Sequence, residues 1–111
     1  VHTRAIGNAA EERGCDYLRS RGLRIIDRNV YNRFGEIDII AIQGNVLRFV
    51  EVKSARSYEQ AVHNITPAKL SKLNRAIQSY LQQKRLNLDY CVDALIVWEE
   101  GIEWIENITL G

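Results

Sequence analysis

Gly35-Glu36-Ile37-Asp38-Ile39-Ile40-Ala41-Ile42, then Gln43-Gly44-Asn45, then Val46-Leu47-Arg48-Phe49-Val50-Glu51-Val52-Lys53, is the stretch on which the fold turns. Two runs, 36–42 and 46–53, are β-branched and apolar on both faces, as buried central strands are. The Gln-Gly-Asn between them reads as a hairpin loop. Charges interrupt both runs. Asp38 breaks the isoleucines, and Glu51 and Lys53 break the valines. An unpaired buried carboxylate costs several kcal/mol even after relaxation, roughly. Residues of this kind therefore have a partner or a task.

Strand alternation puts Glu51 and Lys53 on one face. If Ile42 pairs with Leu47, counting back sets Asp38 opposite Glu51. Directly opposed Cβ atoms lie about 4.5–5.5 Å apart. Two carboxylates side by side repel unless positive charge lies between them, and a hard divalent cation with oxygen ligands, Mg²⁺ or Mn²⁺, fits that place. Such an ion activates water and neutralises a phosphate, while an amine such as Lys53 positions the water or stabilises the pentacovalent phosphorus. A buried Asp–Lys–Glu cluster that merely holds the hairpin satisfies the spacing equally well. Glu36 shares the face of Asp38. It either assists a cation or, more simply, ends the strand in solvent.

Working outward, residues 4–21 read as a helix with Ile6, Ala10, Tyr17 and Leu18 on one side. The small Ala10 and Gly14 would let that helix approach a sheet closely, and Gly22 is a suitable stop. Residues 23–28 form a short strand, followed by a polar segment to Gly35. Residues 54–65 are a less regular connection. Thr66 suits a helix N-cap and Pro67 the first helical position, and Leu70, Leu73, Ile77, Tyr80 and Leu81 supply the apolar stripe. Residues 90–97 and 102–108 are two more strands. The order α-β-β-β-α-β-β describes a mixed α/β fold with helices covering a sheet.

The chain has 111 residues, 46% hydrophobic and 26% charged, which suits one domain over 1–111 with one core. Fifteen basic against fourteen acidic residues give a net charge of +1, which excludes a strongly basic nucleic-acid coat but not a local basic groove. Two distant cysteines, Cys15 and Cys91, fit reduced thiols of a cytoplasmic protein. They are too few for a zinc site. No apolar run reaches the roughly 18 residues of a membrane span, and no apolar stretch behind Val1-His2-Thr3-Arg4 suggests a signal peptide.

Gly35-Glu36-Ile37-Asp38 followed by Phe49-Val50-Glu51-Val52-Lys53 resembles the PD-(D/E)XK (restriction-endonuclease-like) nuclease superfamily, and within it the small bacterial YraN family. Archaeal Holliday-junction resolvases are more distantly similar. The stretch from Gly7 to Glu11 with Tyr17-Leu18, then Gly22, Arg28-Asn29, Thr66, Lys69 and Asp93, extends the resemblance over nearly the whole chain. It implies a restriction-endonuclease-like core, metal binding by Glu11, Asp38 and Glu51, and a catalytic role for Asp38, Glu51 and Lys53. Lys69 would reach the site or the phosphate backbone. The sequence departs from the superfamily at Ile37, where a proline is usual, and at Ala55, where an arginine often follows the E-x-K; Arg56 stands one residue on.

Lys69 and Lys72, with Arg33 and Arg56, are candidates for a rim that contacts nucleic-acid phosphates without reading sequence; a solvated basic surface is the alternative. Tyr31 and Phe34 are candidates for base stacking, whereas Trp98 and Trp104 read as core or edge aromatics. Asp93, in an apolar strand, reads as a structural hydrogen-bond acceptor. The expected activity is metal-dependent hydrolysis of DNA, branched or single-stranded, with DNA favoured over RNA. The competing expectations are a non-catalytic nucleic-acid-binding module and a subunit that needs a partner or a homodimer.

Overall fold

The structure is a computed structural model and describes the backbone of residues 2–108 and the side chains of residues 8–108. The expected place of Ile6 and Gly7 on the first helix's faces therefore lies outside the described side chains. Helix α1 spans His2–Ser20, β1 Arg24–Asn32, β2 Gly35–Gln43 and β3 Val46–Ser54; then come α2 (Tyr58–His63), α3 (Pro67–Lys84), β4 (Asp89–Trp98) and β5 (Gly101–Ile105). The five strands form one sheet in sequence order. All neighbours are antiparallel except β3 and β4, which are parallel. The return from β3 to β4 needs a crossover, and α2 and α3 supply it. The fold is mixed α/β, and the order read from the sequence holds, with the six-residue α2 added inside the 54–65 connection.

Alternation along the central strands feeds two layers. Leu47, Phe49, Ile40 and Ile37 pack with Leu73, Ala76, Ile77 and Tyr80 of α3. Val50, Ile39, Ala41 and Leu95 pack with Cys15 and Leu18 of α1. The rings of Phe49 and Tyr80 meet edge to face at 5.9 Å. Ala61 of α2 joins Ala94 and Ile96 of β4. At Gly14 α1 lies close against the sheet: a Cβ there would stand 3.0 Å from Leu95 Cδ1 and 3.6 Å from Ile39 Cδ1.

Helix boundaries follow the expected chemistry. Thr66 accepts from the Lys69 N–H at 3.2 Å and Pro67 opens α3. Arg85, at φ 53°, closes it with a left-handed cap. Strand boundaries moved more. The segment after residue 28, read as polar connection, continues β1 to Asn32, because an edge strand facing solvent can carry polar side chains and still pair its backbone. The hairpin turn tightens to Gly44-Asn45, with Gln43 paired to Val46. The last strand ends at Ile105 rather than 108. There the carboxylate of Asp93 accepts the Asn107 N–H at 2.7 Å, replacing the next ladder bond. Fully buried Asp93 also accepts from Arg48 at 3.2 Å and from Trp104 Nε1 at 3.0 Å. It is thus the structural acceptor its apolar setting suggested. Among the described residues no helix is long and apolar enough to cross a membrane.

Candidate metal and phosphate site

The hairpin register is the one the sequence anticipates: Ile42 pairs with Leu47, and the ladder runs back to Ile39 opposite Val50. One residue further on, Asp38 and Glu51 stand opposite each other, but the ladder has stopped. The Val52 N–H donates instead to Asp38 Oδ2 at 2.8 Å. Beyond this point β2 follows β1 to Gly35 and β3 follows β4 to Ser54, so the sheet forks. A fork leaves space between two central strands, and the charged residues occupy it.

Asp38 lies at its root, only 8% exposed. Burial pushes its carboxyl up to about 8, and the neighbouring Glu51 carboxylate adds to the rise, against the Val52 N–H. Hydrogen bonding with the Glu51 carboxyl raises it further. Lys53 Nζ stands 3.2 Å from Glu51 Oε1. Glu11 arrives from α1, and Glu36 from two residues upstream of Asp38. One oxygen each from Glu11, Glu36 and Asp38 lie within 4.8 Å of one another, a separation at which carboxylates can share one hard cation. Burial and then the charge of Glu36 raise the pKa of Glu11, while Arg28 and an Asn29 side-chain hydrogen bond oppose the rise. Glu11 Oε1 is buried with no hydrogen-bond partner among the described residues; its nearest cation, Arg28 Nη2, is 3.9 Å away.

A cleft of about 170 Å³ opens onto these groups, with Gly35, Glu36, Glu51 and Lys53 on one side and Lys69, Lys72 and Leu73 of α3 on the other. Lys69 Nζ is tethered to the Asn64 carbonyl at 3.0 Å. The structure therefore brings together Glu11, Asp38, Glu51, Lys53, Lys69 and Lys72. It does not bring Arg33 or Arg56 to the cleft. Arg33 lies over the Phe34 ring at 4.7 Å, and Arg56 lines a separate groove with Arg13 and Trp98.

Glu36, whose simpler reading was a solvated strand end, sits in the carboxylate cluster. The fork turns its side chain inward beside Glu11, and strand parity alone could not tell inward from outward at a strand terminus. Arg28 and Asn29 were visible only as part of a family pattern. The signal that could have singled out Asn29 is its residue type, since asparagine is the ordinary non-glycine occupant of left-handed backbone.

The family model described as "Uncharacterised protein family UPF0102" matches residues 10–97. A UPF0102 protein of Wolinella succinogenes is 54% identical over 108 residues, covering 97% of this chain and 99% of its own length. One of Sulfurimonas denitrificans shows the same identity and coverage. Another, of Helicobacter hepaticus, is 47% identical over 110 residues and 99% of both chains. Every group of the fork site, from Glu11 to Lys72, falls inside the matched span, and the chain belongs to the UPF0102 family, the YraN-like family that its motifs resemble.

Proposed function

We propose that this chain is a nuclease of the PD-(D/E)XK type that hydrolyses phosphodiester bonds, in DNA rather than RNA, with the help of Mg²⁺ or Mn²⁺. The observation that carries the reading is the convergence of Glu11, Glu36, Asp38 and Glu51 at a fork in the sheet, with Lys53 at the edge of the cluster and a cleft leading in. Four acids gathered with one amine are a poor structural ion cluster. Burial first, and then the charge of Glu51, raises the pKa of Asp38, and Glu11 Oε1 has no hydrogen-bond partner among the described residues.

The donor set suits a hard divalent ion, which takes carboxylate oxygens and keeps several waters. Glu11, Asp38 and Glu51 would hold it, with Glu36 as a fourth carboxylate. Bound there, such an ion supplies charge neutralisation at the phosphate and a more acidic water. The chain's own groups do the rest. The Val52 N–H fixes the Asp38 carboxylate by its Oδ2. Lys53, anchored on Glu51, presents its ammonium where the attacking water or a non-bridging phosphate oxygen would lie. Lys69 and Lys72, on the opposite wall, are placed to hold flanking phosphates by charge, without reading bases.

The test is cleavage of radiolabelled single-stranded, duplex and branched DNA with Mn²⁺ or Mg²⁺ and with chelator. Metal-dependent cutting that is lost in both Glu51→Ala and Lys53→Ala, with circular dichroism unchanged, supports the proposal. Cutting that survives chelation refutes it. Salt-sensitive binding without turnover under all metals assigns the chain instead to the non-catalytic, nucleic-acid-binding class. Light scattering during the same assay reports whether a homodimer is the cutting species.

A further inference from the structure

Strand β1 adds something to the site that its place at the sheet edge does not require. Arg28 pairs with Ile39, and Val30 with Ile37. In a regular strand, positions two apart share a face. Here they do not: Ile39 belongs to the α1 layer and Ile37 to the α3 layer. Arg28 reaches α1, donating to Glu12 Oε2 at 2.7 Å, while Val30 packs into the α3 layer. The residue between them is Asn29, directly across from Asp38, and its φ is 51°. Left-handed backbone costs most side-chain-bearing residues about 1–2 kcal/mol, and asparagine less than most, yet inside a strand it breaks the alternation of faces. Strain of this kind persists where the surroundings impose it, and here it lies beside the carboxylate cluster.

Its consequence is geometric. Beside Arg28, whose Nη2 stands 3.9 Å from Glu11 Oε1, the Asn29 amide acts on the Glu11 carboxylate as a hydrogen-bond donor that favours its charged form. Arg28, the preceding residue, stands over Glu11 and Glu12 from the same edge. Glu11 is the only cluster member carried by a helix, so its distance from Asp38 depends on how α1 sits. A donor on β1, fixed by its opposition to Asp38, ties the helical acid to the strand acid.

We infer that Asn29 is a positioning residue that holds Glu11 in register with Asp38 and Glu36 for a divalent cation. The inference rests on the cation-binding reading of the fork. Arg28 keeps the neighbouring Glu12 turned out of the cluster by pairing with it.

Mn²⁺ binding to the full chain, read by titration calorimetry and by the Mn²⁺ electron paramagnetic resonance spectrum, tests it without any activity assay. The informative variant is Asn29→Gly, since glycine adopts positive φ without strain and removes only the amide. Metal-free melting should match the wild type within a few degrees, about the effect of a neutral surface change. Mn²⁺ affinity should fall about 10- to 100-fold, as when an outer partner of a metal ligand is lost, and the spectrum should change as a carboxylate gives way to water. Glu11→Gln should weaken binding comparably, and the double variant no further. Wild-type Mn²⁺ affinity in Asn29→Gly, or losses that add in the double variant, would overturn the inference and leave the cation site standing. Failure of the wild-type chain itself to take up Mn²⁺ would remove both.

Discussion

Replacing Asp38 by Asn should stabilise the metal-free protein at neutral pH and abolish its response to divalent cations. Asp38 is almost fully buried, and its folded pKa of about 8 stands far above its ordinary 3.8. Between those values the folded chain holds a proton that the unfolded chain has released. Stability contributed by the protonated acid is therefore complete below about pH 4 and is lost as pH rises towards about 8. At about pH 7 the loss amounts to as much as about 4 kcal/mol, at 1.36 kcal/mol per pH unit over roughly three units. Asparagine does not titrate. Its amide oxygen can still accept the Val52 N–H that now reaches Asp38 Oδ2 at 2.8 Å, and its NH₂ can donate to Glu51. The variant should thus melt higher than the wild type at about pH 7 with chelator present, by up to about 15 °C for a domain of this size. Near pH 4 the two should melt together. Glu11 also titrates upward, so the wild-type slope alone is a sum, and the difference between the two proteins reports Asp38 together with its coupling to Glu51 and Glu11. Added Mn²⁺ should raise the wild-type melting temperature and leave the variant unchanged. A variant less stable than wild type at neutral pH, or a difference that does not change with pH, would show that Asp38 is a satisfied structural acid.

Three further outcomes follow from the packing and the cleft. Asp93→Ala removes the buried partner of the Arg48 guanidinium, which keeps Glu106 at 3.2 Å, and orphans Trp104 Nε1 and the Asn107 N–H, and urea denaturation should show a loss of about 3 kcal/mol. Gly14→Val places branches against Leu95 and Ile39, where even a Cβ meets Leu95 at 3.0 Å; α1 must retreat, at a cost of about 1–3 kcal/mol by the same measurement. Lys69→Gln with Lys72→Gln should weaken oligonucleotide binding uniformly across sequences and reduce the salt slope by about two. An unchanged slope would place the bound strand elsewhere.

The two central strands, both major helices and the caps at Thr66 and Pro67 were legible because each rests on local chemistry: β-branched runs, a 3.6-residue apolar stripe, a hydroxyl before a proline. The opposition of Asp38 and Glu51 was legible too, since one hairpin turn fixes the register of everything behind it. The polar half of β1 was not. Asn29 and Asn32 say "loop" by residue type, and only the pairing offered by β2 makes them part of a strand. Nor was the assignment of basic residues. Lys69 and Lys72 face the cleft because α3 packs its Leu73 side on the sheet, whereas Arg33 and Arg56 sit on turns whose direction no periodicity encodes.

By itself, the order of residues determined the layered α/β architecture, the identity of the anomalous charges and their pairing across the hairpin, since these depend on periods of two and 3.6 and on one short turn. Tertiary structure alone decided that the sheet forks at Asp38, that Glu36 turns in to meet Glu11, and that Asn29 stands left-handed beside them. The physical reason is that these contacts join α1, β1, β2 and β3 across long separations in sequence. Their geometry is set by how two packed layers pull the strands apart, which no local propensity records.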